Sequence, residues 1–244
     1  MTSGANRPAR PSAKPVIDEA ELLAGHLTPL INVVALGARL ISRCVTRVRI
    51  EGAIGEIPRE GPVILASNHV SNADPVIVGA WLTPALGRRI HWLGKREMFD
   101  WPIVGWMARH GGVVPVDRAA ADAEAFRMAR RVLDDGHVLM VFPEGTRSAD
   151  GTLQKPKDGL AMLALRTGAT IVPIGVSDSD RVWPRGRKLP KPGGRITMRV
   201  GRPFRLADEL PAELDRKAAK PAATDIIMRR IAELLPERQR GPYA

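Results

Sequence analysis

Apolar residues at three- and four-residue steps dominate the first part of the chain. From residue 16 to about residue 46, leucine, isoleucine, valine and alanine recur with the period of an α-helix. Pro29 interrupts this run, and a proline removes a backbone donor and clashes with the preceding turn. The pattern therefore predicts two consecutive helices that meet near Pro29.

Beyond this segment, short apolar runs alternate with stretches of helical period. The apolar runs predict strands at residues 48–50, 62–66, 89–93, 137–142, 171–176 and 196–200. The helical period predicts helices at residues 75–82, 119–133, 159–167 and 224–235. Such an alternation indicates an α/β domain with a largely parallel central sheet flanked by helices. We expect this domain to span residues 48–240, after a disordered basic tail at residues 1–15.

The helical segment at residues 16–47 is amphipathic. Arg39, Arg43 and Arg47 border its apolar stripe, and long basic side chains beside such a stripe suit a helix that lies in a bilayer interface. A helix packed on the domain's own core would show the same stripe. The sequence leaves both interpretations open, and the first predicts an N-terminal segment that associates with a membrane.

No stretch of the sequence is typical of a transmembrane helix. The best candidate, residues 27–45, is interrupted by Asn32, Arg39 and Arg43. Residues 1–15 lack the apolar stretch of a signal peptide. We therefore expect a peripheral or monotopic protein at the cytoplasmic face of the cell membrane.

The net charge of +11 predicts a polyanionic partner, which charge alone does not identify as nucleic acid, an anionic bilayer or a phosphorylated substrate. From Arg181 to Arg205, both included, the chain carries nine basic residues and no acidic residue. This stretch suits an anionic bilayer or the phosphates of coenzyme A, and also an ordinary solvated loop. The single cysteine, Cys44, excludes an internal disulfide and a zinc site built from several cysteines.

Candidate chemistry follows the predicted strand at residues 62–66, in the loop that contains His69 and Asp74. Ligands usually bind at the carboxyl ends of strands in such sheets. A turn can bring Asp74 back to the imidazole of His69, fix its tautomer and leave the other ring nitrogen free to take a proton. The alternative is a helix-capping aspartate beside an ordinary histidine in a turn.

A second polar loop follows the predicted strand at residues 137–142. Gly145 in this loop allows close backbone approach, and Arg147 offers two charge-assisted hydrogen bonds to a phosphate. Alone, this loop would also fit an ordinary polar turn in which Glu144 pairs with Arg147.

Together, in this order, these segments resemble the lysophosphatidate acyltransferase family of the glycerolipid acyltransferase superfamily. The resemblance covers roughly residues 48–176. Its four sequence blocks and one intervening segment are NHVSNAD at residues 68–74, GKREMF at 94–99, GGVVPVDR at 111–118, FPEGTRS at 142–148 and IVPI at 171–174.

The resemblance implies roles for individual residues. His69 is implied as the catalytic base and Asp74 as the residue that orients it. The residues implied to bind the phosphate of the acceptor are Glu144, Gly145, Thr146 and Arg147, with Arg118 nearby. Lys95 is a further candidate for a phosphate contact, although it could equally be solvated.

The family resemblance also implies a reaction. A fatty acyl group would pass from acyl-coenzyme A or acyl carrier protein to the free hydroxyl of 1-acylglycerol 3-phosphate, giving phosphatidate. Glycerol 3-phosphate or another lysophospholipid is the alternative acceptor. The mechanism needs no cofactor beyond these substrates. An oxyanion hole is expected as well, and the backbone amides near His69 are one candidate for donors that the sequence does not identify.

A non-catalytic basic protein that binds lipid or nucleic acid is the rival from another functional class. The net charge favours it, but pure binding would not require a His/Asp pair beside a phosphate turn. Aromatic residues make up only 4% of the chain, which argues against stacking on single-stranded nucleic acid, so we expect no nucleic-acid partner. Histidines with ligand-like spacing are missing, so we expect no metal.

Overall fold

Seven strands form one mixed sheet in the computed structural model, which describes residues 27–116, 121–157, 159–211 and 214–244. The strands are β1 (Arg47–Gly52), β2 (Val63–Ser67), β3 (Ile90–Lys95), β4 (Val113–Val116), β5 (Val138–Val141), β6 (Thr170–Ser177) and β7 (Arg195–Val200). Their order across the sheet is β1-β7-β6-β2-β5-β3-β4. The predicted tail at residues 1–15 lies outside the described residues.

Strand direction determines where a site can form. β6, β2, β5, β3 and β4 run parallel to one another, whereas β7 pairs antiparallel with β6 and carries β1 alongside in its own direction. The predicted largely parallel sheet is thus confirmed. The carboxyl ends of β2, β5 and β6 and the amino end of β7 consequently meet at one edge of the sheet.

Helices cover both faces of this sheet. They are α1 (Pro29–Val45), α2 (Asp74–Leu86), α3 (Pro102–His110), α4 (Ala121–Asp134), α5 (Gly159–Thr167), α6 (Ser179–Val182), α7 (Leu206–Glu209) and α8 (Arg216–Glu233). All five residues of β2 are buried. Val63 and Leu65 face the core cluster that contains α2, and Ile64 and Ala66 face the cluster that contains α4, α5 and α8. Burial on both faces explains why this central strand is a continuous apolar run.

The first described helix, α1, starts at Pro29 and packs against α2. Thr28 caps it, since its Oγ1 accepts from the N–H of Ile31 at 3.4 Å. Its Arg39 side chain donates to the carbonyls of Ala80 at 2.6 Å and Trp81 at 3.1 Å. One face of α1 therefore belongs to the domain core, and the helix predicted before Pro29 lies largely outside the described residues.

The other face of α1 is apolar and exposed. Val33, Leu36, Leu40 and Ile41 are 66%, 56%, 54% and 68% exposed. Within the described ranges, no helix is both long and apolar enough to cross a membrane. One face of α1 thus packs on the domain core, and the opposite face keeps the exposed apolar surface that a bilayer interface would require. Contact of this face with a membrane remains a prediction.

Two parts of the secondary-structure prediction were wrong. The sequence analysis missed α3 and β4, because the β4 run is short and contains Pro115. A proline is tolerated there since β4 is an edge strand. The last helix begins at Arg216 rather than at residue 224, capped by Asp215, whose side chain accepts from the N–H of Ala218 at 2.7 Å. Pro221 lies inside this helix, and because prolines usually interrupt helices, the predicted start fell after it.

Candidate active site

Two polar loops lie side by side at the edge of the sheet where β2 and β5 end. The first, at residues 68–73, joins β2 to α2, and the second, at residues 142–157, leads from β5 towards α5. Since β2 and β5 are adjacent parallel strands, their loops emerge together. The structure therefore brings together the two segments that the sequence analysis singled out.

His69 and Asp74 form a direct pair. His69 Nδ1 lies 2.9 Å from Asp74 Oδ2, which also accepts from the backbone N–H groups of Val70 and Ser71 at 2.8 Å each. Asp74 Oδ1 accepts from Ser179 Oγ at 2.6 Å. Asp74 is fully buried, and four donors around a buried carboxylate stabilise its negative charge. Because the carboxylate oxygen accepts from Nδ1, we assign the imidazole proton to Nδ1, and Nε2 is left as the basic nitrogen.

The imidazole of His69 is fixed but accessible. Its ring stacks on Phe142, with centroids 4.0 Å apart and planes inclined by 16°. The side chain is 17% exposed. Phe142 on one face and Asp74 at Nδ1 restrict rotation of the ring, so a substrate can approach a base whose orientation is already set.

The second loop also holds the backbone of His69. The N–H of His69 donates to Glu144 Oε1 at 2.6 Å, and its carbonyl accepts from the N–H of Ser148 at 2.8 Å. Glu144 Oε2 accepts from the N–H of Gln154 at 3.0 Å. Glu144 is only 3% exposed, and burial raises its pKa to about 7 against the opposing effect of these two donors. Its buried carboxylate thus links the two loops, because it accepts from one backbone N–H of each.

The turn after Glu144 presents its polar groups outward. Gly145 has φ +67°, and a Cβ there would lie 2.8 Å from the Lys157 side chain. Gly145 and Thr146 are exposed, while Arg147 is half-buried and donates to Asn72 Oδ1. The turn therefore places a guanidinium beside the loop that carries His69, a geometry suited to an anion next to the base.

Two further predicted site residues have no described side chain. Arg118 lies outside the described residues. Lys95 is the last residue of β3, and its side chain is also outside the described part of the structure. Their predicted contacts with phosphate remain predictions.

The basic stretch after β6 folds over the first loop. The carbonyl of Trp183 accepts from Ser71 Oγ at 2.7 Å and from the N–H of Asn72 at 3.2 Å. Arg185 donates to the carbonyl of Arg147 at 3.1 Å. Residues 183–189 therefore line the site rather than forming a detached solvated loop, and we call them the basic wall.

The candidate oxyanion-hole donors in the first loop are excluded. The backbone N–H groups of residues 69–73 all donate within the protein: to Glu144, twice to Asp74, to the carbonyl of Trp183 and to Ser71 Oγ. They cannot also form an oxyanion hole without breaking the loop. By contrast, the N–H groups of Thr146 and Arg147 make no hydrogen bond to another described residue.

Residues that the sequence analysis missed support the same loop. Asn68 is fully buried and bonds the backbone of Val176 twice, through Nδ2 at 2.9 Å and Oδ1 at 2.8 Å. Its position beside His69 in the first sequence block was an available signal. Ser179 offered none, because it lies 105 residues from Asp74 along the chain. Among the described residues, no three His, Cys, Asp or Glu side chains form a group suited to a metal ion.

Comparison with known proteins matches this architecture. An acyltransferase family model covers residues 47–177. The lyso-ornithine lipid O-acyltransferase of Pseudomonas aeruginosa is 30% identical over 198 residues, which are 74% of this chain and 72% of that protein. The crystal structure of the 1-acyl-sn-glycerophosphate (LPA) acyltransferase from Thermotoga maritima superposes with a TM-score of 0.67 at 25% identity, covering 84% of this chain and 79% of that one.

A chloroplastic 1-acyl-sn-glycerol-3-phosphate acyltransferase of Arabidopsis thaliana is 29% identical over 178 residues, which are 71% of this chain. The match spans about half of that longer protein, 49% of its length. The family model includes both loops of the site and the strands that carry them. The chain therefore belongs to the acyltransferase family.

Proposed function

We propose that this protein transfers a fatty acyl group from a thioester donor to the free hydroxyl of a lysophosphatidate-type acceptor, giving phosphatidate. The observation that carries the proposal is the 2.9 Å hydrogen bond between His69 Nδ1 and Asp74 Oδ2. It leaves Nε2 available as a base, at a site whose neighbouring turn presents Arg147 to an anion. A protein that only binds lipid would not need this arrangement.

The proposed reaction begins at the acceptor hydroxyl. His69 Nε2 removes its proton while the oxygen attacks the thioester carbonyl carbon. Collapse of the tetrahedral intermediate breaks the carbon–sulfur bond, and the imidazolium returns the proton to the thiolate. Asp74, which accepts hydrogen bonds from four donors, stabilises the transient imidazolium. The backbone N–H groups of Thr146 and Arg147 are candidates to stabilise the oxyanion.

Anion binding would place the hydroxyl at the base. Arg147 is tied to Asn72 in the same loop as His69, so an anion on its guanidinium is held at a fixed distance from Nε2. Such positioning can contribute several kcal/mol, roughly 7 or more in the best cases, to lowering the barrier. Gly145 and Thr146 are proposed to contact the anion with Arg147, and Arg118 and Lys95 remain candidates. Glu144 supports the turn by accepting from the backbone N–H groups of His69 and Gln154.

The acceptor is proposed from the relatives. The Arabidopsis and Thermotoga proteins are named for 1-acylglycerol 3-phosphate, which carries the phosphate that the turn around Arg147 suits. A lyso-ornithine lipid is the second candidate, since the Pseudomonas relative named for it matches over more than two thirds of both chains. Its carboxylate is also an anion that a guanidinium can bind. Glycerol 3-phosphate and other lysophospholipids complete the set of acceptors.

Acyl-coenzyme A and acyl carrier protein are both proposed donors. Each presents the acyl group as a thioester on a phosphate-bearing arm. The basic wall of the site, which includes Arg185 and Arg187, suits such an arm. No metal or prosthetic group takes part in the proposed steps.

We also propose that the protein works on an anionic membrane surface, on its cytoplasmic face. The exposed apolar face of α1 suits burial among acyl chains, and Arg43 at its end suits lipid phosphates. Leu189, 73% exposed within the basic wall, would reach the same layer. This attachment would bring the site to an acceptor that resides in the bilayer.

A parallel acceptor assay tests the proposed function. Purified protein is given oleoyl-coenzyme A or oleoyl carrier protein with 1-oleoyl-lysophosphatidate, glycerol 3-phosphate or lyso-ornithine lipid in mixed vesicles. Thiol release and the mass of the lipid product are followed. Cys44 is exposed and adds at most one reactive thiol per chain, so several turnovers must be recorded.

We expect phosphatidate as the fastest product. Faster acylation of lyso-ornithine lipid would transfer the assignment to the second candidate. No thiol release with any acceptor and either donor would refute the enzymatic proposal and favour a lipid-binding protein.

A further inference from the structure

A serine beyond the family match completes the surroundings of Asp74. Ser179 Oγ donates to Asp74 Oδ1 at 2.6 Å, and both residues are fully buried. The family model ends at residue 177, so this contact comes from a part of the chain that the model does not cover. Ser179 lies in neither of the two polar loops of the site.

The two oxygens of Asp74 have different partners. Oδ2 accepts from the imidazole of His69 and from two backbone N–H groups of the same loop. Oδ1 has Ser179 as its one donor among the described residues. A buried carboxylate oxygen is costly to leave unpaired, because it has lost its water without a replacement. The Ser179 hydroxyl therefore controls how much negative charge remains for Oδ2 to present to His69.

Several contacts fix Ser179 at this place. It is the first residue of α6, and its carbonyl accepts from the N–H of Trp183 at 2.8 Å. Asp178, just before it, adopts a left-handed conformation with φ +64°. The N–H of Asp178 donates to Gln239 Oε1 at 3.2 Å, and its carboxylate pairs with Arg238. Two neighbouring residues of the C-terminal segment thus fix Asp178, and Asp178 in turn fixes the start of α6 at Ser179.

We propose that Ser179 is a positioning residue that sets the basicity of His69 through Asp74. The Val70 and Ser71 amides keep Oδ2 on the imidazole whether or not the hydroxyl is present. Removal of the hydroxyl therefore changes the charge on Oδ2 rather than its contact with His69. A carboxylate with one donor fewer holds the imidazolium proton more tightly, so His69 becomes available as a base only at higher pH.

A purely structural role for Ser179 predicts something else. The hydroxyl would then stabilise α6 alone, and its loss would lower the melting temperature without moving the pH profile. Ser177 provides a matched control. It is a buried serine two positions earlier, and its Oγ donates to the carbonyl of Thr197 at 3.4 Å, away from Asp74.

The test compares Ser179→Ala, Ser179→Thr and Ser177→Ala with the wild type. The pH dependence of kcat/KM for acyl transfer, the KM for the acceptor and the melting temperature are measured for each. The His69 ring proton is also titrated by NMR without substrate, and His69→Ala identifies its signal among the five histidines.

For Ser179→Ala we expect the acidic midpoint of both titrations to rise by about one pH unit. At pH below this midpoint, kcat/KM then falls about tenfold, while the KM for the acceptor changes less than twofold. Ser179→Thr, which keeps the hydroxyl, and Ser177→Ala keep the wild-type midpoint. An unchanged or lowered midpoint in Ser179→Ala, or the same rise in Ser177→Ala, would overturn the inference.

The kinetic part of this inference rests on the proposed acyl transfer. If the wild type releases no thiol, the proposed function fails, while the NMR titration still decides the role of Ser179. If the wild type is active and Ser179→Ala titrates normally, only the inference about Ser179 fails.

Discussion

The backbone N–H of His69 donates a 2.6 Å hydrogen bond to the buried carboxylate of Glu144. The proposed base is therefore held by the loop that also presents Arg147, and the two motifs act as one unit. Burial of Glu144 raises its pKa to about 7, so this link changes its charge near neutral pH.

The first prediction concerns stability as a function of pH. The folded protein binds a proton at Glu144 more tightly than the unfolded chain, whose pKa is near the ordinary 4.5. The protonated carboxyl thus favours folding below about pH 4.5, and this contribution is lost as the pH rises to about 7. We expect the free energy of unfolding of the wild type, relative to Glu144→Gln, to fall by up to about 3 kcal/mol over this range.

Urea unfolding at several pH values measures this difference. Glu56→Gln, at an exposed glutamate, removes the same charge from the surface and serves as the control. A difference between wild type and Glu144→Gln that does not change between pH 4.5 and 7 would show that Glu144 titrates normally in the folded protein.

Asp74→Asn is expected to abolish most of the activity without unfolding the site. The amide keeps the shape of the carboxylate, but it does not stabilise an imidazolium and favours the wrong tautomer of His69. By analogy with other His/Asp pairs, we expect kcat to fall about a thousandfold or more with little change in the KM for the acceptor. Steady-state kinetics of acyl transfer measure both values. A loss confined to KM would assign Asp74 to substrate binding instead.

Arg147→Ala is expected to act mainly on the acceptor. Loss of a charge-assisted contact to its anion costs about 1.5–3 kcal/mol, which corresponds to a roughly 10- to 150-fold rise in KM. Arg229→Ala is the control, because it removes an equal charge from an exposed position on α8, where Arg229 pairs with Asp225. Equal KM values for both variants with lysophosphatidate would place the anion site elsewhere.

The exposed face of α1 is expected to hold the protein on vesicles. The double variant Leu36→Glu, Ile41→Glu would bring two charges into the apolar layer of the bilayer. We therefore expect it to lose most of its binding to vesicles that contain phosphatidylglycerol. Leu165→Glu makes the same type of change on α5, which covers the other face of the sheet. Co-sedimentation measures the bound fraction. Undiminished binding of the α1 variant would exclude α1 as the attachment.

The local parts of the fold and site were predictable from the sequence. His69 and Asp74 are five residues apart around one turn, so the sequence indicated a possible pair, and the 2.9 Å contact decides against a merely helix-capping aspartate. The buried strands β2 and β6 are short apolar runs between turn residues, and their length and their content of β-branched residues favour strands over helices.

Long-range relationships were not predictable in this way. A period of two along β7 does not encode its antiparallel pairing with β6, which depends on the path of the preceding chain. Ser179 meets Asp74 only because β6 lies beside β2 in the sheet. Glu144 has the charge of a ligand-binding residue, and only its burial shows that both oxygens bind backbone amides. β4 contains a proline and lies at the sheet edge, so its short run carried little signal.

Acyl transfer by wild type, His69→Ala and the control His110→Ala tests the central claim most directly. His110 is a histidine of α3 that bonds the carbonyl of Trp106, so it controls for the loss of an imidazole outside the site. With lysophosphatidate and oleoyl-coenzyme A, or the carrier-protein donor if that is preferred, we expect phosphatidate from the wild type and from His110→Ala. We expect at least a thousandfold less from folded His69→Ala. Phosphatidate formation by His69→Ala at the wild-type rate would contradict the assignment of His69 as the base.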